Sequence, residues 1–209
     1  MSGVTYRLWF TEEMKGFFDF GATDYEPGFE EGRLHGASIM FHLTITTEDV
    51  YRFIDDPRHV AAATGWVKSE VLGGRLPVDE GTFNLFVDDG PARKRMLYRL
   101  FFCDSVGHPL TLSGFKDVHH DRLDQVWPET STLYTKVLRG HVTADDPADL
   151  VGSGILHILP LDFARQLTTF RTSGPGLAAR LSALAAFGRL FAGELWEVYG
   201  PPRWVPHRA

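Results

Sequence analysis

Residues 95–118, RMLYRLFFCDSVGHPLTLSGFKDV, contain an evident β-strand pattern on both sides of a turn. In residues 95–103 the side chains alternate between two faces, which is the period of a β-strand, and both faces are partly apolar. Residues 105–109 combine serine, glycine and proline, which favour a turn. Residues 110–118 alternate again, so the whole stretch predicts an antiparallel hairpin.

Similar short segments occur on both sides of this hairpin. Gly and Asp turn signals separate them, at 73–74 and 88–90 among other places. The further predicted strands are 4–10, 15–20, 37–46, 65–72, 82–88, 131–141 and 151–159. No strand alternates with a long helix, and a closed barrel removes exposed edges, so the pattern favours an antiparallel meander closed into a barrel.

The sequence predicts few helices, one short helix in the first half of the chain and the others near its C-terminal end. A threonine cap at Thr47 and the acids that follow it predict a short helix near 47–55. Helices are also expected in 161–200, the clearest over 175–199. Its apolar stripe would pack against the sheet or plug a barrel end, and a dimer contact is the alternative. The predicted fold is mainly β, an antiparallel, calycin-like β-barrel with a C-terminal α-helix. We expect a single domain over 1–209, with the barrel strands in 4–160.

The composition excludes several classes of function. A chain of 209 residues with net charge −6 lacks the basic face that nucleic-acid binding needs. No apolar run reaches the roughly 20 residues of a membrane-spanning helix, so no membrane insertion is expected. The first residues lack the charged and apolar regions of a secretory signal, and a lone cysteine fits a reducing compartment. A cytoplasmic protein is the prediction.

The common cofactor and metal motifs are missing. The sequence has no G-x-G-x-x-G after a strand, no P-loop, no G-x-S-x-G and no H-E-x-x-H, so we expect no cofactor and no metal. His119-His120-Asp121 is the densest group of potential metal ligands, but adjacent side chains on a strand diverge, which favours a polar turn. Cys103 could be a nucleophile, but its apolar neighbours favour a buried, inert thiol.

Two adjacent carboxylates, Glu12 and Glu13, lie in the run FTEEMKG, residues 10–16. In a strand they diverge, so one can face a cavity while the other meets solvent. An apolar cavity raises the pKa of a carboxyl group, which suits it for acid or base catalysis near neutral pH. We take Glu13 as the candidate acid or base; a solvated turn or a salt bridge to Arg99 or Lys116 is the alternative.

Polar side chains inside the predicted strands supply the remaining candidates. His42, Arg99 and Lys116 each lie among apolar neighbours, where burial is costly without a partner. With Glu13 they form the predicted catalytic set. Residues that would line the lumen beside them are the predicted substrate-binding set: Met40, Phe86, Tyr98, Phe101 and Tyr134. Both faces of the strands are apolar, so the alternation leaves open whether these side chains face the lumen or solvent.

Several long motifs resemble a domain of actinobacterial proteins that carry a cholesterol-oxidase-like flavin oxidoreductase. They are FTEEMKG (10–16), MFHL (40–43), GGRLPV (73–78), FNLF (83–86), RMLYRL (95–100), LSGFK (112–116), LRGH (138–141) and LDFARQL (161–167). The resemblance covers roughly 8–200 and implies a sterol-, terpenoid- or polyketide-like ligand. The flavin-binding and oxidase portions have no counterpart here, so flavin oxidation is not implied.

The predicted function is binding of a hydrophobic small molecule, with cofactor-independent cyclase or isomerase activity. The barrel is also similar in architecture to calycin-type barrels that act as cofactor-free cyclases, although the lipocalin G-x-W signature is missing. A non-catalytic sterol- or lipid-binding module that serves an oxidoreductase is one alternative. A structural interaction domain, such as a homodimer whose apolar faces are all core or contact, is the other and predicts no cavity.

Overall fold

The computed structural model describes residues 4–90, 93–119, 130–143 and 148–199. The strands are β1 (Leu8–Phe20), β2 (Ser38–Thr47), β3 (Val60–Ser69), β4 (Gly74–Asp88), β5 (Arg93–Cys103), β6 (Pro109–His119), β7 (Thr132–Arg139), β8 (Leu150–His157) and β9 (Arg171–Thr172). The helices are α1 (Tyr25–His35), α2 (Val50–Asp55), α3 (Pro160–Leu167) and α4 (Leu177–Tyr199), with a 3₁₀ turn at Glu70–Leu72.

Eight strands form a closed antiparallel barrel. Each strand from β2 to β7 pairs with the next, and β1 pairs with both β2 and β8. The two-residue β9 adds to the start of β1, at Leu8 and Trp9. The predicted mainly-β class, antiparallel barrel and C-terminal helix are therefore confirmed.

The long strand β1 closes the barrel. Its register runs from Leu8 opposite Thr47 on β2 to Phe20 opposite Gly152 on β8. The sequence predicts two strands here, 4–10 and 15–20, with a break between them. In the structure, FTEEMKG (10–16) lies inside one continuous strand. The charges of the motif suggest a break, but alternation of apolar and polar side chains continues through it.

The strands alternate between a buried inner face and a partly exposed outer face. In β1 the buried series is Leu8, Phe10, Glu12 and Met14, and in β2 it is Ile39, Phe41, Leu43 and Ile45. These inner faces form the hydrophobic core. Burial of the apolar side chains is the main stabilising contribution to the barrel.

Two short helices flank the barrel. The side chain of Asp49 caps α2 by accepting hydrogen bonds from the backbone N–H groups of Tyr51 and Arg52, at 3.1 Å each. Asp49 therefore takes the capping role predicted for Thr47.

The sequence did not predict helix α1. It packs on the outer surface of β1 and β8 through Gly28 and Gly32, its two buried residues.

The C-terminal helices cover one end of the barrel, and we call α3 and α4 the helical cover. Lys94 of β5 forms an ion pair with Glu194 of α4, and α4 also packs against α2. At the start of α4, Leu177 and Leu181 are exposed, whereas Phe187 is buried. Among the described residues, no helix has the length and apolar content needed to cross a membrane.

Candidate binding cavity

A cavity of about 690 Å³ lies between the barrel core and the helical cover. The barrel strands contribute its wall, and α3 and α4 close it from above. Leu167 of α3 lines the cavity and is 57% exposed, so the cavity reaches solvent beside α3. Six phenylalanines contribute to the lining: Phe10, Phe83, Phe163, Phe170, Phe187 and Phe191.

Three polar side chains meet at the cavity wall, and we call Glu12, Tyr98 and Lys116 the polar triad. Lys116 Nζ lies 2.6 Å from Glu12 Oε1, and Tyr98 Oη donates a hydrogen bond to Glu12 Oε2 at 2.8 Å. Lys116 Nζ is also 5.2 Å from the centre of the Tyr98 ring. Each of the three residues is at most 3% exposed.

The barrel brings these residues together from distant parts of the chain. Tyr98 on β5 and Lys116 on β6 share the inner face, because Met96 pairs with Lys116 and Tyr98 pairs with Gly114, two positions further along. Glu12 comes from β1, which pairs with neither β5 nor β6. The triad therefore depends on closure of the barrel.

Burial and Glu12 fix the protonation state of Tyr98. Burial raises the pKa of the phenol well above its usual value of 10.0, and the negative charge of Glu12 and the hydrogen bond to it act in the same direction. The phenol therefore stays protonated near neutral pH and acts as a hydrogen-bond donor. Lys116 supplies the second donor of the site.

Glu13 and His42 lie on the outer face, so the predicted catalytic set does not converge on the cavity. They are directly opposite each other on β1 and β2, with His42 Nδ1 3.3 Å from Glu13 Oε2. Lys15 Nζ lies 2.6 Å from Glu13 Oε1, and the His42 ring stacks on Trp66. The physical reason is strand parity: Glu12 faces inward, so its neighbour Glu13 must face outward.

Arg99 and Phe101 also lie on the outer face, since each follows an inward residue of β5. Arg99 donates a hydrogen bond to the carbonyl of Val142 at 2.9 Å. The Phe101 ring stacks on His141, with 5.2 Å between the ring centres. Neither residue lines the cavity.

Of the other predicted substrate-binding residues, Met40 and Tyr134 lie outside the barrel and Phe86 lies in the core. Met40 lines a groove on the outer surface, of about 420 Å³, and Tyr134 stacks on the ring of Phe115 beside α1. Phe86 is buried with a positive φ of 50°, and its ring packs against Phe191 of α4. Of the nine predicted residues, Tyr98 and Lys116 line the cavity.

Sequence reasoning missed Glu12 and the aromatic side chains of the helical cover. A usable signal existed for Glu12, because the series Leu8, Phe10, Glu12, Met14 places one carboxylate on an otherwise apolar face. No comparable signal existed for Phe163 or Phe170. Their role depends on how α3 and the chain after it fold back over the barrel end.

The polar triad suits an organic ligand better than a metal ion. Both oxygens of Glu12 already accept from cationic or neutral donors, and the Lys116 ammonium occupies the position where a cation would need to bind. His120 and Asp121, part of the group of potential metal ligands noted in the sequence, lie outside the described residues.

Known proteins give no direct guide to the activity of this chain. No protein-family model, no curated protein and no solved structure matches it. The resemblance to the oxidoreductase-associated domain stays a prediction. The cavity and the polar triad are therefore the features that bear on its function.

Proposed function

We propose that this protein binds a hydrophobic small molecule in the cavity and acts as a cofactor-independent cyclase or isomerase. The substrate class would be polyketide-, terpenoid- or sterol-like. One observation carries the proposal: an apolar cavity of about 690 Å³ has the buried triad of Glu12, Tyr98 and Lys116 in its wall.

The size and lining of the cavity support binding of a small molecule. Ligand pockets typically measure about 300–1,000 Å³ and combine apolar walls with a few placed polar groups. Here Phe10, Phe83 and Phe187 represent the apolar wall, and the polar triad supplies the polar groups. A barrel that served only as a structural interaction domain would be expected to have a filled core.

The polar triad is an expensive feature for stability alone. Replacing a buried ion pair by apolar residues of similar volume is often neutral or stabilising, because burying two charges costs desolvation energy. A Lys–Glu pair held at a cavity wall therefore suggests a role in recognition or chemistry. Lys116 can donate a hydrogen bond to a carbonyl or hydroxyl oxygen at one end of an otherwise apolar ligand. Tyr98 Oη, whose single hydrogen is donated to Glu12, can accept a hydrogen bond from a ligand hydroxyl.

The same groups can carry out proton transfer without a cofactor. With a substrate carbonyl bound by Lys116, the Glu12 carboxylate takes a proton from the adjacent carbon, and the C–H electron pair forms an enolate. The ammonium of Lys116 stabilises the enolate oxygen, as preorganised donors do in other sites. Returning the proton to another carbon isomerises the substrate. Alternatively, enolate attack on a second carbonyl closes a ring, and that oxygen takes the proton.

A non-catalytic carrier is the second candidate function. Both oxygens of Glu12 are engaged by donors, so the triad can recognise a polar group as a fixed unit without exchanging protons. On this account the protein would deliver a sterol-like ligand to a partner oxidoreductase, as the sequence resemblance implies.

Native mass spectrometry with a lipophilic extract of the source cells distinguishes these functions. The extract is incubated with the wild type, with Glu12→Gln and with Glu13→Gln, and the captured and released molecules are compared by mass and retention time. Glu12→Gln removes the proposed base from the cavity. Glu13→Gln is the matched control, because it neutralises the adjacent carboxylate on the outer face.

The cyclase or isomerase proposal predicts a captured metabolite that is released with altered structure by the wild type and by Glu13→Gln, but unaltered by Glu12→Gln. A metabolite returned unaltered by all three proteins would support the carrier and overturn catalysis. Absence of any captured molecule would overturn both functions.

A further inference from the structure

On the outer surface of the barrel, a carboxylate, a thiol and an imidazole lie close together. One potential ligand atom from each of Asp79, Cys103 and His141 lies within 4.8 Å of the other two. We propose that these three residues form a metal site for a divalent transition-metal ion, with Zn²⁺ preferred. It is the one such group of three within the described residues.

The fold builds this site from three separate segments. Val78 pairs with Phe102, and Glu80 pairs with Phe101, so Asp79 is the extra residue of a β-bulge in β4. Bulges redirect a side chain and occur often beside functional sites. Cys103 is the last residue of β5, and His141 follows β7.

Two contacts hold the ring of His141 in place. Its Nε2 lies 3.3 Å from the carbonyl oxygen of Phe102, and its ring stacks on Phe101. Because a carbonyl oxygen only accepts, a hydrogen bond to Phe102 requires the hydrogen on Nε2 and leaves Nδ1 as the nitrogen with a free lone pair. Histidine ligands in metal sites usually donate their other N–H to a carbonyl or carboxylate, which fixes the tautomer and the ring orientation.

The donor set selects the class of ion. Thiolate, imidazole and carboxylate together suit Zn²⁺ and related transition metals, whereas Mg²⁺ and Ca²⁺ prefer oxygen ligands alone. Three protein ligands with a fourth position for water or another molecule are the pattern of reactive zinc sites, while structural sites use four. Asp79 and His141 are exposed here, so an ion bound by the three residues would be accessible to a fourth ligand from solvent.

The proposed metal site is independent of the cavity function. None of its three residues lines the cavity, and Cys103 is the only cysteine in the chain. Loss of metal binding would therefore leave the function proposed for the cavity untouched. Equally, failure of the cavity to bind a ligand would say nothing against the metal site.

Cobalt titration provides a direct test, because Co²⁺ reports its ligands through its absorption spectrum. The full chain is treated with a chelator, dialysed and titrated with Co²⁺, and Zn²⁺ is then added as competitor. We expect a thiolate-to-cobalt charge-transfer band, with visible bands of four-coordinate intensity that Zn²⁺ abolishes. Cys103→Ser should remove the charge-transfer band. His141→Gln and Asp79→Asn should each weaken binding by more than the roughly 10–100-fold that losing an outer-shell partner costs.

His108→Gln is the matched control, since His108 is an exposed histidine that contacts Asp104 instead of the proposed site. It should bind Co²⁺ as the wild type does. Far-ultraviolet circular dichroism checks that each variant keeps its fold. A wild-type spectrum without a charge-transfer band, or binding that survives both Cys103→Ser and His141→Gln, would overturn the proposal.

Discussion

Glu12 and Glu13 differ by one position along β1, and that step separates the lumen from the outer surface. Glu12 is buried with Lys116 and Tyr98, whereas Glu13 pairs with Lys15 and His42 outside. The two carboxylates are identical in chemistry and adjacent in sequence. Their different environments therefore come from strand parity alone.

Lys116→Met is expected to destabilise the protein markedly. Removing the ammonium leaves the buried Glu12 carboxylate without its counter-charge, and breaking a buried pair in this way costs about 3 kcal/mol in the free energy of unfolding. For a chain of this size, a loss of about 3 kcal/mol lowers the melting temperature by roughly 6–12 °C. Urea denaturation and thermal melting measure the effect.

Replacing the whole polar triad should restore that stability. The triple variant Glu12→Leu, Lys116→Met, Tyr98→Phe leaves no buried charge unpaired, so its free energy of unfolding should equal or exceed that of the wild type. A triple variant as unstable as Lys116→Met would mean that the triad serves mainly to hold the barrel together. That result would contradict the functional role given to it.

At the scale of elements, α1 approaches the barrel more closely than any side chain would allow. A Cβ atom at Gly32 would lie 2.3 Å from the carbonyl oxygen of Phe18, and one at Gly28 would lie 2.1 Å from that of Ser153. Both clashing atoms belong to the backbone of a strand, so no side-chain rotation can relieve the clash. The spacing of four residues places both glycines on the face of α1 that meets β1 and β8.

Gly32→Ala is therefore expected to destabilise the protein by about 1–3 kcal/mol, the usual cost of overpacking. Helix propensity alone predicts the opposite, a gain of about 1 kcal/mol for alanine over glycine. Chemical denaturation measures Gly32→Ala, with Glu31→Ala as a control for alanine at an exposed position on the same helix. A more stable Gly32→Ala variant would show that α1 does not pack so closely.

The contact between α1 and β8 also predicts a dependence of stability on pH. Burial lowers the pKa of His157 below its usual value of 6.5, and the ring lies edge-on to Phe29 of α1. The folded state thus favours the neutral imidazole. The resulting stabilisation is fully present above the unfolded pKa near 6.5 and is lost as pH falls through the lower, folded pKa.

Urea denaturation of the wild type and of His157→Gln at several pH values between 7.5 and 5 tests this prediction. Other groups titrate in both proteins, so the informative quantity is the difference between their free energies of unfolding. That difference should shift against the wild type as pH falls. A constant difference over this range would contradict the effect assigned to His157.

At the scale of the whole molecule, the barrel class was predictable because strand alternation and turn residues are local signals. Residues 95–118 form the predicted hairpin, β5 and β6. Which face of each strand points into the barrel was not predictable, since Phe101 and Arg99 have apolar neighbours in the sequence, as Tyr98 does. Helix α1 was missed because Pro27 and Gly28 resemble a loop in sequence, and its reason for forming is contact with strands far along the chain.

The candidate site was predictable only in part for the same reason. Lys116 and Tyr98 stand out within their strands, but their partner Glu12 is identified only once the barrel closes. The helical cover adds Phe163, Phe170 and Phe187 from a region whose sequence shows helices without showing where they pack. Long-range contacts, which a local pattern does not encode, determine these features.

Titration with N-phenyl-1-naphthylamine tests whether the cavity binds a hydrophobic ligand. This neutral apolar dye becomes more fluorescent when it moves from water into an apolar site. The wild type, Leu184→Trp and Glu13→Gln are compared, because Leu184 of α4 lines the cavity and a tryptophan there would fill part of it. Saturable binding at a single site in the wild type and in Glu13→Gln, strongly reduced in Leu184→Trp, is the predicted result. No saturable binding, or equal binding by Leu184→Trp, would contradict the claim that the cavity beneath the helical cover holds a hydrophobic ligand.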